Sequence, residues 1–153
     1  MSRIVALREQ SLRVRAPQEL CFQVVSSAGP VVEERGEHEK LVEFRIDLGN
    51  RKLVTLELVH LEPPDRIAYR WVRGPLPMVE ESIEVMLLSV DACELRYRGR
   101  FQTPHGGIRG LVEGWIIRKM FDRAVGEHLD QARRTAEARA ERSHIFPRSQ
   151  HDG

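Results

Sequence analysis

The sequence predicts an α+β domain: a curved antiparallel sheet of six to seven strands wrapped around one long C-terminal helix. Three observations carry this. Between residues 31 and 103, short runs alternate apolar with polar residues and are joined by connections of two to five residues, which force antiparallel neighbours. Each run has one apolar and one charged face, the pattern of a sheet covered on one side. After "HGG" at 105–107 the period changes from two residues to three and four, and no proline interrupts residues 107–142, so a single helix follows.

Residues 3–15 are extended. Leu12, Val14 and Ala16 share one parity while Val5 and Leu7 hold the other, so a bulge or bend near Glu9 to Ser11 reconciles the halves. Pro17 opens a short helix in "PQELCFQVVSS", and Gly29-Pro30 ends it. "VVEERGE" at 31–37 is a short strand. In "HEKLVEFRIDLG", Val42, Phe44 and Ile46 face inward and Arg45 outward, and Gly49-Asn50 is a tight hairpin turn. The next run, "RKLVTLELVHLEP", puts Leu56, Leu58 and His60 on the inner face and Glu57 on the outer one.

Three further strands follow. They present Tyr69 and Trp71, then Ile83 and Val85, then Leu95, Tyr97 and Phe101 to the core, with Arg70, Glu84 and Arg96 outward. The helix stripe runs Ile108, Leu111, Val112, Trp115, Ile116, Met120, Phe121, Ala124, Val125, Leu129 and Ala132. Roughly 35 helical residues span about 50 Å. Residues 1–142 form one domain, and residues 143–153 form a flexible tail.

Composition excludes several functions. Lysine and arginine total 24 against 23 acidic residues, a net charge of +1, so there is no electrostatic footprint for nucleic acid. No apolar run reaches 18 residues and no signal-peptide core follows Met1, so integral membrane insertion is not expected and the reading is cytoplasmic. Cys21 and Cys93 belong to no CxxC pair; each reads as a buried thiol, with no disulfide in a reducing compartment. No residue pattern specifies an oligomeric state.

Few residues offer chemistry. His105 precedes the long helix, whose positive dipole end disfavours the imidazolium, so a neutral base at a cavity mouth is one reading and a surface loop histidine the other. His60 stands near a strand end, at a rim or in solvent. Glu81 shares parity with Ile83 and Val85, which puts a carboxylate on the inner face or at its rim. No histidine pair has metal-ligand spacing. Gly106-Gly107 lacks the lysine of a phosphate loop and the spacing of a dinucleotide fingerprint, so no metal or cofactor is expected.

The strand into a Pro-started helix, "VRAPQELCFQVVS", the hairpin "LEPPDRIAYRW", "RGPLPMVEESIEV" and the closing "GLVEGWIIRKMFDRAVGEHLDQARRTAE" together resemble the START/Bet v 1-like (SRPBCC) superfamily. This is the helix-grip fold, and it includes a polyketide cyclase/dehydrase-like group. The resemblance covers about residues 3–142. It departs at "SAGPVVEER", which is too short for the second small helix and lacks the Trp-Pro motif often found there.

The resemblance implies a hydrophobic cavity between sheet and helix for a small apolar, aromatic or polyketide-like molecule. Its walls would come from Phe44, Leu56, Leu58, Tyr69, Trp71, Ile83, Val85, Tyr97, Phe101, Gly110 and Trp115, centred near Trp115. Three functions stay open: a cyclase- or dehydrase-like enzyme, a carrier or sensor of a lipid or hydrophobic metabolite, and a protein-interaction module with a filled core.

Overall fold

The computed structural model describes residues 2–47 and 52–145. In chain order these form β1 (Ser2–Ala6), β2 (Gln10–Val14), α1 (Gln18–Ser26), β3 (Val31–Glu34), β4 (Glu39–Asp47), β5 (Lys52–Glu62), β6 (Arg66–Arg73), β7 (Met78–Ser89), β8 (Ala92–Gly106) and α2 (Gly107–Ile145). One antiparallel sheet runs in the order β1-β8-β7-β6-β5-β4-β3, with β2 also paired to β8. The expected turn at Gly49-Asn50 and the tail beyond residue 145 lie outside the described residues. α2 continues to Ile145, past the boundary expected at residue 142.

β1 and β2 are two halves of one bent strand. Ala6 pairs with Arg100, Leu7 donates its N–H to the Gly99 carbonyl, and Gln10 pairs with Tyr97. Arg8 and Glu9 therefore stand against the single residue Arg98, and the extra residue switches the side-chain parity. Val5 and Leu7 on one side of the bend, and Leu12 and Val14 on the other, consequently reach the same core. The bend falls slightly earlier than expected. Its Glu9 carboxylate lies 3.7 Å from Arg96 and 3.4 Å from Arg98 on the outer face.

β5 faces opposite to the expectation. Thr55, Glu57 and Val59 are buried inside, while Leu56, Leu58 and His60 lie on the outer face. The reason is register. Phe44 pairs with Thr55 and Ile46 with Leu53, so even positions of β4 stand opposite odd positions of β5. A side-chain period of two makes a whole strand follow such a choice. β4, β6, β7 and β8 face as expected, with Phe44, Ile46, Tyr69, Trp71, Ile83, Val85, Leu95, Tyr97 and Phe101 in or against the core.

α2 has 39 residues, about 58 Å of helix. Gly107, at φ +62°, lets the chain pass from β8 straight into the helix. The two glycines thus turn the chain and leave no loop. A Cβ on Gly110 would come within 2.3 Å of the His105 carbonyl oxygen, and one on Gly114 within 3.2 Å of Val5 Cγ2. Bare helix backbone therefore lies on β8 and β1. This corrects the expected stripe, because its bulky members in the first half turn outward: Ile108 is 82% and Trp115 61% exposed. From Val125 the stripe points in, and Leu129, Ala132, Ala136 and Ala140 are buried.

α1 closes one end of the core with Cys21, Phe22 and Val25. Cys21 and Cys93 are both buried free thiols, with sulfurs 2.7 Å apart. They are far apart in sequence and neighbours in the fold.

Candidate functional site

Twist carries the sheet away from a straight helix, and between the middle of α2 and strands β4 to β8 lies a recess of about 540 Å³. Phe44, Ile46, Trp71, Ile83, Phe121, Val125 and Leu129 make apolar walls, while Glu57, Tyr69, Glu81, Tyr97 and His128 bring polar groups. A second space of about 300 Å³ shares Ile46, Trp71, Phe121 and Ala124 with the first, and adds Leu53, Pro75, Leu76, Ile117 and Met120. The Trp71 and Phe121 rings meet with centroids 5.9 Å apart.

Strand register assembles the polar groups. Glu57 pairs with Trp71, Tyr69 with Glu81, and Glu81 with Gly99, so inward-pointing positions of four adjacent strands fall side by side. Two glycines make room beside them, Gly99 on β8 and Gly74 just after β6. A Cβ on Gly99 would lie 2.7 Å from the Tyr97 hydroxyl, and one on Gly74 2.6 Å from the Trp71 ring.

The hydrogen bonding is incomplete. Tyr97 donates its hydroxyl to Glu81 Oε2, and the Thr55 hydroxyl donates to Glu57 Oε2 at 2.7 Å. The Tyr69 hydroxyl and Trp71 Nε1 are buried and have no partner among the described residues. Orphaned buried donors are rare and costly. Neither Glu57 nor Glu81 forms an ion pair among the described residues.

Burial, reinforced by the neighbouring Glu81, pushes the Glu57 carboxyl up to about 8. Burial also raises Glu81, against the lowering effect of the Tyr97 hydrogen bond. The Tyr69 and Tyr97 phenols are pushed up, chiefly by burial and then by Glu81, so both remain donors. His128, an exposed residue of the lining, is held below its ordinary value by desolvation. At neutral pH the floor is therefore a cluster of donors: Tyr69, Trp71, and Glu57 in its protonated form.

Of the residues expected here, Phe44, Tyr69, Trp71, Ile83, Tyr97 and Glu81 line the recess. Leu56 and Leu58 are on the other face of the sheet. Val85 and Phe101 are core, at 1% and 0% exposure. Gly110 contacts β8 backbone, and Trp115 points into solvent with Lys119 Nζ 3.8 Å over its ring. The recess is thus centred nearer Phe121 to Leu129 than Trp115.

The two histidine candidates lie elsewhere. His105 points to Glu113 on the first turns of α2, with Nδ1 3.0 Å from Oε1. His60 sits on the outer face between Glu39 and Glu62. Glu57 and Thr55 were missed because a strand bearing Leu56 and Leu58 on one parity argues for that parity as core. Tracing the Gly49-Asn50 hairpin forward would have exposed them, since a two-residue turn pairs residue 47 with 52, the register observed.

Among the described residues no helix is long and apolar enough to cross a membrane, and no cluster of three or more His, Cys, Asp or Glu could hold a metal. No protein-family model matches the chain, and no curated protein matches it. Solved structures do match. A START superfamily protein from Mycobacterium smegmatis superposes with a TM-score of 0.62 at 16% identity, over 91% of this chain and 97% of that one. The chain has the START/Bet v 1-like fold.

Other proteins of this helix-grip fold superpose better still. The Zhui aromatase/cyclase from Streptomyces sp. R1128 gives a TM-score of 0.70 at 20% identity, over 92% of this chain and 96% of that one. The di-domain aromatase/cyclase StfQ from the steffimycin biosynthetic pathway gives 0.76 at 18% identity, and this chain spans about half of it (52%). Identities this low speak for the fold alone.

Proposed function

We propose that the recess binds a small hydrophobic molecule, aromatic or polyketide-like, that presents an acceptor oxygen to Tyr69 and Trp71. The unpaired Tyr69 hydroxyl and Trp71 Nε1 carry this reading. Both side chains line the recess, among apolar walls and the Glu57 and Glu81 carboxyls, and a carbonyl or phenolic oxygen would satisfy the two donors. A recess of 540 Å³ fits such a ligand and argues against a filled core serving only as an interaction module.

A cyclase- or dehydrase-like activity is the extension we favour over a passive carrier. Glu57 is held protonated near neutrality and Glu81 is tied to a phenol, so an acid and a potential base share one cavity. The solved neighbours that are aromatase/cyclases add to this reading. Oriented binding of a flexible chain would supply much of the rate.

Titration with 2-naphthol, followed by tryptophan fluorescence, tests the binding reading. Tyr69→Phe should weaken binding about tenfold, the loss of one net hydrogen bond. Ala124→Leu, which fills the space shared by both cavities, should abolish binding without unfolding the chain. Equal affinity in wild type and Ala124→Leu would overturn the assignment. Turnover of a reactive polyketone that disappears in Glu81→Gln, with binding retained, would separate the enzyme from the carrier.

A further inference from the structure

The first half of α2 is inside out. Its glycine edge lies on the sheet, and Ile108, Leu111, Val112, Trp115, Ile116 and Met120 face solvent at 41% to 82% exposure. Together they expose on the order of 700 Å² of apolar surface, above the few hundred Å² of an ordinary monomer's largest patch. That is close to the ~800 Å² each partner contributes to a stable interface. An apolar helical ridge of this kind is also self-complementary, as a two-fold contact requires.

Charge bears on what covers it. Arg109 pairs with Glu113, Arg118 with Asp122 and Arg123 with Glu127, each at four-residue spacing. Lys119 is stacked on Trp115. The arginines along the ridge are thus matched within the helix, and Lys119 by itself makes no basic strip, which an anionic lipid surface would require. A neutral, apolar partner face fits better, and a second copy of this ridge is such a face.

We infer that two copies of this chain associate through the Ile108–Met120 face of α2. The contact is isologous: the ridge of one protomer lies against the same ridge of its partner, with Trp115 near the two-fold axis. It would shield Trp115, the aromatic side chain of the ridge.

Sedimentation of the full chain, from micromolar to about millimolar concentration, tests this. Wild type should sediment as a species of twice the 17.6 kDa chain mass. Ile108→Glu and Val112→Glu alter only exposed positions, so both should sediment as monomers with unchanged circular dichroism. A wild type that stays monomeric throughout overturns the inference, as do folded variants that remain dimeric. Vesicles of phosphatidylcholine and phosphatidylserine supply a further arm. A monomeric wild type that co-sediments with them, while Ile108→Glu does not, would assign the ridge to a membrane surface instead.

Discussion

The two halves of α2 lie in one unbroken helix and obey opposite rules. From Val125 to Ala140, large and small apolar side chains fill the space above the sheet and α1, as amphipathic periodicity demands. From Gly107 to Met120 the inward positions are Gly110, Gly114 and the half-buried Ile117, and most of the apolar bulk points to solvent. The difference teaches that spacing locates a stripe but not which stripe is buried. Where glycine permits backbone-on-backbone contact, the bulky stripe is free for another use.

Four substitutions would break or sharpen that contrast. Leu129→Ala, in the half that packs by side chains, should cost about 3 kcal/mol of unfolding free energy in a urea titration. A loss below about 1 kcal/mol would mean that this half is loosely packed too. Gly110→Ala, in the half that packs by their absence, should cost about 2 kcal/mol. The new Cβ meets the His105 carbonyl, and the strain exceeds the gain of about 1 kcal/mol in helix propensity. A larger side chain at Gly110 would therefore disturb the helix–sheet contact and would not fill the recess.

Between the halves lies the recess, and Glu57 beneath it should make stability depend on pH. Its folded value of about 8 stands above its ordinary 4.5, so the folded state binds the extra proton in that window. The contribution is fully present below about pH 4.5 and is lost as pH rises through 8. Glu57→Gln should flatten this fall in thermal melts, with its advantage over wild type greatest near pH 9. Glu81, also raised, leaves a residual slope of the same sign. A Glu57→Gln profile parallel to wild type would show that the carboxyl is solvated.

The smallest effect belongs to Leu111→Ser on the outward ridge. It should change monomer stability by less than ~0.5 kcal/mol at submicromolar protein, in contrast to Leu129→Ala. A larger loss would mean that the ridge packs against its own chain.

Sequence periodicity by itself determined the element order, the antiparallel sheet and the start of the long helix at Gly107. These follow from local rules: period two for strands, period 3.6 for the helix, short turns for antiparallel pairing. Resemblance to the START/Bet v 1-like superfamily added the expectation of a ligand cavity between sheet and helix. Four strands also announced their inner faces, because Phe44, Tyr69, Trp71, Ile83 and Tyr97 stand on parities with charged residues opposite. Glu81 was legible for the same reason.

Tertiary structure decided what periodicity left open, although for β5 the hairpin register carries the same information. β5 turned Thr55 and Glu57 inward, because its register is set by its neighbour β4 and overrides the preference of Leu56 and Leu58. α2 turned Trp115 outward, because Gly110 and Gly114 could approach β8 and β1 more closely than any side chain allows. Cys21 met Cys93, and His105 met Glu113 in place of the recess. Each depends on which residues a turn or a packed surface brings together, and no local period encodes that. The candidate site rests on such a contact, since its donor floor exists only where β5, β6, β7 and β8 lie in register.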